Sequence, residues 1–309
     1  MKKITILLSA LLLFSACSES EKQKLVDALQ NINIKNDEKV PTVTGLSAKL
    51  KESSGLAYID GTLWTHNDSG GEAKLYSIDI KNGKVLKTVR ISNASNVDWE
   101  DLAFDKTHLF IGDFGNNNGT RKDLKIYKIK LADLKSKTTV EAKIIKFSYA
   151  SQTTFTKNSK TNYDCEAFVA YEDKLYLFSK NHGNKKTDMY VLGMNDGTEV
   201  AEKVMTFNTN SLVTGATLDR ENKVLAMIGY SESGTNKGSP KTWIFSGFTD
   251  SDFFKGKETK INWGTPIKAQ IEGVTHIGKG KLYVSSEKLS YSNSFGSFTI
   301  NQELYKLNY

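Results

Sequence analysis

Cysteine is scarce in this chain of 309 residues, which contains only Cys17 and Cys165. A zinc or iron–sulfur site built on thiolates needs several cysteines at short spacings. Two isolated cysteines therefore exclude a site made of clustered cysteines, and the fold has to be stabilised mainly by packing.

Familiar catalytic signatures are missing as well. The sequence has no Gly-x-Ser-x-Gly elbow, no P-loop and no His-Glu-x-x-His motif. The formal net charge is +7, but the lysines are spread through the chain and form no dense block. This spread favours a solvated surface over a nucleic-acid groove, so we expect no nucleic-acid partner.

The first residues predict export. Lys2 and Lys3 precede an apolar run over 4–16, which is shorter than the ~20 residues of a membrane-spanning helix. Small residues come directly before Cys17, and this pattern resembles the lipobox of bacterial lipoproteins, in which the signal is removed and the cysteine is acylated. An ordinary secretory signal with a chance cysteine is the alternative. We expect 1–16 to be a signal peptide and Cys17 to anchor the protein to the outer membrane without spanning it.

The remainder divides into a tether and a domain. Residues 17–40 are polar and charged and predict a flexible tether, in which "EKQKLVDALQNI" could form a short helix. Residues 41–309 form the folded part, which we expect to be monomeric. With Cys17 acylated, Cys165 has no partner for a disulfide within the chain. Whether the domain faces the periplasm or the cell surface stays open.

A diverged repeat of short strands runs through the folded part. Each copy starts with an apolar strand introduced by small or acidic residues, continues after a turn with a more apolar strand, and has a third strand that carries an aromatic residue. The copies of the first strand are "ESSGLAY" (52–58), "DWEDLAF" (98–104), "DCEAFVA" (164–170), "LVTGATL" (212–218) and "QIEGVTH" (270–276).

Four strands per repeat predict an all-β fold, a five-bladed β-propeller. The fifth copy ends after its third strand at Tyr309, and a strand-like piece at 42–50 precedes the first copy. We expect this N-terminal strand to complete the last blade and close the ring, which removes two exposed sheet edges. A six-bladed ring, with a cryptic unit near the polar segment 151–163, and a plain β-sandwich are the alternatives.

Acidic residues recur at equivalent places in the first strands. When the five first strands are aligned with one another, one position, or column, is occupied by Ser54, Glu100, Glu166, Thr214 and Glu272. The column two residues earlier is occupied by Glu52, Asp98, Asp164, Leu212 and Gln270. Residues two apart share a face of a strand, so both columns are expected at the channel mouth, whereas Trp99 and Asp101 should face away from it, toward the neighbouring blade or the loops.

Three roles are open for these carboxylates. They could bond to backbone N–H groups of neighbouring blades, bind a hard cation such as Ca²⁺, or act directly in acid–base catalysis. Nearby His66, His182 and His276 leave a mixed site open. The metal-ligand candidates are Glu52, Asp98, Glu100, Asp164, Glu166 and Glu272.

Polar loops after the second strands open on the same face and could hold a ligand, although loops are also polar simply because they are solvated. Their candidate ligand-binding residues are Asn67, Asp68, Asp113, Asn116, Lys180, Asn181, His182, Glu232 and Glu287.

The set "ESSGLAY", "LWTHNDSGG", "DWEDLAF", "GDFGNN", "DCEAF" and "IEGV" resembles secreted bacterial β-propellers of the phytase-like and SMP-30/NHL type. The resemblance implies Ca²⁺ in an acidic channel and, for some members, hydrolysis of lactones or phosphate esters. We therefore expect an envelope lipoprotein whose propeller face binds a protein, glycan or small ligand. A metal-dependent hydrolase is the alternative.

Overall fold

The computed structural model describes residues 32–38, 40–231, 238–264, 269–293 and 296–309. Over these ranges the chain is almost entirely β. No helix among them has the length and apolar character that a membrane crossing requires. Cys17 lies outside the described residues, as does most of the predicted tether helix.

The first two repeats each form four main strands. Strand β1 (Ile32–Glu38), strand β2 (Thr42–Gly45) and a 3-10 turn (Ala48–Leu50) precede them. The first repeat consists of β3 (Ser53–Ile59), β4 (Thr62–Asn67), β5 (Lys74–Ile78) and β6 (Val85–Ile91). The second consists of β7 (Trp99–Phe104), β8 (His108–Asp113), β9 (Lys125–Lys130), helix α1 (Leu131–Ser136), β10 (Thr139–Val140) and β11 (Lys143–Tyr149).

The next three repeats follow the same order. The third consists of β12 (Cys165–Tyr171), β13 (Lys174–Ser179), β14 (Thr187–Gly193) and β15 (Gly197–Phe207). The fourth consists of β16 (Leu212–Asp219), β17 (Val224–Tyr230), β18 (Pro240–Ser246), a 3-10 turn (Phe253–Lys255) and β19 (Lys257–Trp263). The fifth consists of β20 (Ile271–His276), β21 (Lys281–Ser286), a hairpin of β22 (Leu289–Asn293) and β23 (Gly296–Ile300), and β24 (Glu303–Asn308).

Within each repeat the neighbouring strands pair antiparallel, and the outer strands make further links. Strand β10 joins β6 in parallel, β15 joins β11 in parallel so that the second and third repeats share an eight-stranded sheet, and β1 joins β19 in parallel. Strand β2 pairs antiparallel with β24, so the N-terminal strand supplies the outer strand of the last sheet, as the sequence predicts.

The first strands form a closed cycle. Strand β3 contacts β7, β7 contacts β12, β12 contacts β16, β16 contacts β20, and β20 returns to β3. The approach is close enough to require glycine: a Cβ on Gly55 would lie 2.4 Å from the Leu102 nitrogen, and one on Gly273 would lie 2.4 Å from the Ser54 oxygen. This cycle gives the molecule a propeller-like arrangement.

The hydrophobic core is divided among the spaces between neighbouring sheets. Trp99 and Tyr127 of the second sheet pack with Trp64 of the first, and Trp243 of the fourth packs with Phe178 of the third. The last space is filled in the same way, because Leu56 of the first sheet packs with Tyr283 of the fifth. Burial of such side chains contributes about 1.5–3 kcal/mol each.

The alternation predicted for the first strands fails at one point. In all five, the pairing with the second strand shifts register near the second acidic or small position. In β7 the shift lies between Trp99 and Leu102. A bulge of this kind rotates the side chains that follow it relative to a regular strand.

Three segments can be compared with the structure that the sequence predicts for them. Residues 32–38, which the sequence places in the tether, form β1 beside β19. The polar loop that the sequence predicts after the second strand of the last repeat, beginning at Glu287, contributes to the hairpin of β22 and β23. The segment 151–163 contains no strand and is the loop that its polarity predicts.

Candidate metal centre at the mouth of the ring

Three carboxylates meet where the first two sheets adjoin. Asp68 follows β4, Asp98 precedes β7 and Glu100 lies within β7. One oxygen from each lies within 4.8 Å of the others. At such a distance two carboxylates repel by roughly 3 kcal/mol at an effective dielectric constant of ~20. A set of this kind has to take up protons or bind a cation.

Asn96 holds the two loops of this cluster together. Its amide donates to the Asn67 carbonyl at 3.0 Å and to the Asp68 carbonyl at 2.7 Å, and its side-chain oxygen accepts from the Trp99 N–H at 3.1 Å. The sequence analysis missed this residue. Its only sequence signal is an asparagine two residues before the first acid of "DWEDLAF".

A second group of charged side chains lies beside the first. Glu166 and Lys180 form a buried ion pair, with 3.0 Å between Oε1 and Nζ. The Lys180 ammonium also lies 5.8 Å from the centre of the Tyr230 ring. Burial alone would lower the pKa of Lys180, but Glu166, Tyr230 and Glu272 outweigh it and raise that pKa well above the usual value. The surrounding acids therefore favour the charged form of Lys180 beside the carboxylate cluster.

Burial and mutual repulsion disturb the acids. Burial, with the charges of Asp98 and Glu272, raises the pKa of Asp68 to about 7. Burial and the charge of Asp164 raise the pKa of Asp98 to about 6. Burial, together with Glu166 and Asp68, raises the pKa of Glu100 well above its ordinary value. These three carboxyls consequently lie in an environment that favours uptake of positive charge.

The fifth repeat contributes two further acids to this site, Glu272 and Glu287. Burial raises the pKa of Glu272 to about 7, although Lys180 opposes the shift. Burial and the charge of Glu272 raise the pKa of Glu287 to about 9. Glu287 accepts from the Gln270 amide at 2.7 Å. One buried oxygen of each acid, Oε2 of Glu272 and Oε1 of Glu287, has no hydrogen-bond partner among the described residues.

The donor set fits a hard cation. It consists of carboxylate oxygens, which Ca²⁺ and Mg²⁺ prefer over softer ligands. Gly115 keeps room beside it, because a Cβ there would lie 1.9 Å from the Glu100 Oε1 and 2.5 Å from the Asp98 Oδ2. The unpaired oxygen of Glu272 adds a buried acceptor that lacks a proton donor.

Several predicted ligand-binding residues build the loops instead. Asp113 is buried, with the Arg121 guanidinium at 2.9 Å and the Lys125 ammonium at 3.6 Å. Asn116 donates from its backbone N–H to Asp164 at 2.6 Å and from its amide to the Tyr163 carbonyl at 3.0 Å. These side chains already have partners within the protein, although Oδ2 of Asp113 has no hydrogen bond among the described residues and only the Lys125 ammonium near it.

The remaining candidates lie at different places. Asn181 is buried and donates to Asp188 at 3.1 Å, and Asn67 donates to the Lys49 carbonyl at 2.8 Å. The Glu52 side chain is 41% exposed and lies 3.4 Å from Lys51. Glu232 lies outside the described residues.

Only one of the three histidines considered for the site contacts an acid of the channel mouth. His182 lies 2.8 Å from the Asp164 carboxylate through Nε2. His66 is buried against Trp99, with ring centres 5.6 Å apart, and burial lowers its pKa to about 4. His276 contacts the Tyr309 hydroxyl at 3.3 Å.

Asp101 is an acid whose position the sequence predicts only in part. It is fully buried, and its carboxylate accepts from the backbone N–H groups of Leu102, Phe168 and Ala216 at 2.8, 3.2 and 3.2 Å. The bond to Phe168 reaches the neighbouring blade, as expected, but because the bulge in β7 interrupts the alternation, Asp101 also reaches Ala216 of the fourth repeat. It therefore holds the ring together.

Arg220 occupies the opposite end of the ring. Its guanidinium donates to the Ala170 carbonyl at 2.9 and 3.1 Å and to the Phe104 carbonyl, and it lies 5.6 Å from the Phe104 ring. It therefore links the ends of β7 and β12 at the end of the ring away from the carboxylates.

No family model matches the chain, and no curated protein matches it. Solved structures similar to it include hydrazine synthase of Kuenenia stuttgartiensis (12% identity, 84% of this chain and 58% of that chain, TM-score 0.35) and PhoX of Pseudomonas fluorescens in complex with vanadate (10%, 76% and 57%, 0.43). An exo-β-1,3-galactanase of Phanerochaete chrysosporium is a third (11%, 85% and 63%, 0.49). The chain thus spans about three fifths of these proteins. TM-scores below 0.5 assign it neither ligand nor activity.

Proposed function

We propose that this protein is a lipid-anchored envelope protein that binds a divalent cation, Ca²⁺ or a close equivalent, at the mouth of a five-bladed propeller and uses that site to hold a ligand. The observation that carries the proposal is the convergence of Asp68, Asp98 and Glu100 within 4.8 Å. Ca²⁺ takes six to eight oxygen ligands, so these acids, a neighbouring glutamate and the ligand itself would share the cation.

The blade number rests on the cycle of first strands. Five of them contact one another in chain order and return to the first, and the hydrophobic clusters lie between successive sheets. The one stretch long enough for a cryptic sixth unit, 151–163, contains no strand. Five blades account for the described residues without a further unit.

The direction of β1 supports display of the site away from the membrane. Because β1 runs parallel to β19, with Ile32 opposite Glu258 and Glu38 opposite Trp263, it begins at the end of the sheet remote from the carboxylates. A chain arriving from a lipid on Cys17 would meet the domain at that end. The acidic mouth would then point toward whatever lies beyond the membrane surface.

Lys180 favours an anionic group on the ligand. Its ammonium is buried beside Glu166 and is held charged by the surrounding acids. A cation bound at Asp98 and Glu100 would add positive charge to the same mouth. A carboxylate or phosphate group could bridge the two, which is how hard cations commonly take part in ligand binding.

The experiment that tests this function is a metal analysis of the purified full chain in detergent. We expect one equivalent of divalent cation, lost to a chelator with a fall in melting temperature. Asp98→Asn should bind less cation, whereas Glu141→Gln, at an exposed site, should behave as wild type. Absence of bound cation, together with a melting temperature that neither chelator nor added Ca²⁺ changes, would overturn the proposal.

A metal-dependent hydrolase of a phosphate ester or lactone is a second candidate. The observation that favours it is the buried Glu272 beside the carboxylate cluster, whose pKa burial raises to about 7 and which has one oxygen without a hydrogen bond in the described part of the chain; such a group suits proton transfer near neutral pH. Turnover of phosphate-ester or lactone substrates that disappears in Glu272→Gln with folding unchanged would favour the enzyme. Cation binding without turnover on either class would favour the binding protein.

A further inference from the structure

A separate open groove of about 680 Å³ lies on the same face of the molecule, at the outer side of the third repeat. The loop 151–163 forms one wall, and Asn184, Asp188, Tyr190 and Lys203 form the other. Neither Asp68, Asp98 nor Glu100 lines it. Its volume lies within the ~300–1,000 Å³ typical of small-ligand sites.

The walls of the groove are held in place by hydrogen bonds. The Gln152 amide donates to the Gly119 carbonyl at 2.9 Å, and the Tyr163 hydroxyl donates to the Ser151 carbonyl at 2.9 Å. The His182 N–H donates to the Thr161 carbonyl at 3.0 Å. A groove fixed in this way loses little conformational entropy when a ligand enters it.

Its one acidic side chain is already neutralised. Asp188 is buried, receives a hydrogen bond from Asn181 at 3.1 Å and lies 2.8 Å from the Lys203 ammonium. Lys157 and Lys160 are exposed on the opposite wall. The lining therefore has an excess of positive charge, in contrast to the carboxylate cluster near by.

The rest of the lining is hydroxyl and amide. The residues that offer such groups include Thr154, Thr156, Asn158, Asn162 and Asn184, and the partly exposed Tyr163 adds an aromatic ring. The side-chain oxygens of the three asparagines already accept from backbone N–H groups of the same or a neighbouring loop, so these residues offer their NH₂ groups as donors. Threonine hydroxyls and asparagine NH₂ groups together suit a ligand that carries many hydroxyl groups. A peptide bound along a sheet edge would need free strand positions, and the loop 151–163 contains no strand.

We propose that this groove binds an acidic oligosaccharide, with its hydroxyl groups on the threonine and asparagine side chains and its carboxylates toward Lys157 and Lys160. The proposal is independent of the cation at the ring mouth, because the two sites share no side chain. Acidic sugars would be selected over neutral ones by the lysines, and over acidic peptides by the hydroxyl-binding walls.

Calorimetry on the detergent-solubilised full chain tests the groove, with a chelator present so that no cation takes part. The probes are tetragalacturonate, a neutral galactose tetramer and tetraglutamate. We expect tetragalacturonate to bind at least about tenfold more tightly than the other two. The double variant Lys157→Glu and Lys160→Glu should weaken its binding at least about tenfold, a change of roughly 1.4 kcal/mol.

A charge-matched control is the double variant Lys106→Glu and Lys279→Glu, whose exposed lysines lie in the turns at the other end of the ring. It should bind as wild type, and all variants should keep the wild-type melting temperature. Three results would each overturn the proposal: no binding of tetragalacturonate, equal binding of the neutral tetramer or of tetraglutamate, or equal losses in the two double variants.

Discussion

The Asp101 carboxylate accepts a hydrogen bond from the Phe168 backbone N–H at 3.2 Å, and so links the first strand of the second repeat to that of the third. The same oxygen accepts from the Ala216 N–H of the fourth repeat. One buried acid thus satisfies backbone donors on three strands of the central cycle.

Removal of this acid should destabilise the whole ring. In Asp101→Ala the N–H groups of Leu102, Phe168 and Ala216 lose their acceptor, and each buried unsatisfied group costs about 1–3 kcal/mol. We expect a loss of at least about 3 kcal/mol in the free energy of unfolding, measured by denaturant titration. Glu141→Ala, at an exposed site, is the control, and similar stability in the two variants would contradict a holding role for Asp101.

A small side chain at Gly115 should block the candidate metal centre. In Gly115→Ala the new Cβ would stand 1.9 Å from the Glu100 Oε1, so the carboxylates have to move apart. We expect Ca²⁺ affinity to fall at least about tenfold in calorimetry. Gly71→Ala is the matched control, since its Cβ would meet nothing closer than 3.7 Å. Unchanged affinity in Gly115→Ala would place the cation elsewhere.

The cation-free protein should become less stable as pH rises. Burial and neighbouring acids raise the pKa of Asp98 to about 6 and that of Asp68 to about 7, so between roughly pH 4 and 7 these two groups hold more protons in the folded state than in the unfolded state. Glu272 and Glu287 act in the same direction, and they outweigh His66 and His276, whose pKa values burial lowers to about 4. Stability is then lost as pH rises through this window. Melting temperatures in chelator at pH 5 and pH 8 measure the loss.

Added Ca²⁺ should reverse that dependence, because the cation binds the deprotonated carboxylates and competes with protons. We expect the gain in melting temperature on adding Ca²⁺ to be larger at pH 8 than at pH 5. Asp98→Asn should show a smaller pH dependence in chelator than wild type. A gain that is equal at both pH values would indicate that these acids are not the ligands.

The lipid anchor has a direct test in cell fractionation. Cys17→Ala removes the side chain that we propose is acylated, and should move the protein from the membrane fraction to the soluble fraction. Cys165→Ala, at a buried site of the third repeat, should leave it in the membrane fraction. A Cys17→Ala variant that stays with the membrane would contradict anchoring through this residue.

The strand pattern could be predicted from the sequence because each strand carries its own local signals. The first strands of all five repeats are found where "ESSGLAY", "DWEDLAF" and their equivalents occur, and β2 completes the last sheet. The bulge in β7 could not be predicted, since it depends on how neighbouring first strands approach. The alternation therefore places Asp98 and Glu100 together but does not predict that Asp101 also reaches the fourth repeat.

The site was predicted only in outline for the same reason. Asp98 and Glu100 are brought together as expected, and Asp68 joins them from a neighbouring sheet. Asp113 and Asn116 are polar residues of a loop at the predicted place. Asp113 already pairs with Arg121 and Lys125, however, and the Asn116 backbone N–H already bonds to Asp164. The contact between Asn116 and Asp164 joins loops 48 residues apart, and one sequence carries no record of such a contact. The pairing of Asp113 with Arg121 and Lys125 is local, but it depends on how this loop folds back on itself.

Calorimetric titration of Ca²⁺ into the chelator-treated full chain, wild type beside Glu100→Gln, tests the central claim most directly. Glu100 is the buried member of the carboxylate cluster, and its amide keeps the size of the side chain while removing the charge. We predict one Ca²⁺ per chain for the wild type and affinity at least about tenfold lower for Glu100→Gln. Equal Ca²⁺ affinity in the two proteins, or no binding to the wild type, would contradict a cation site at the mouth of the ring.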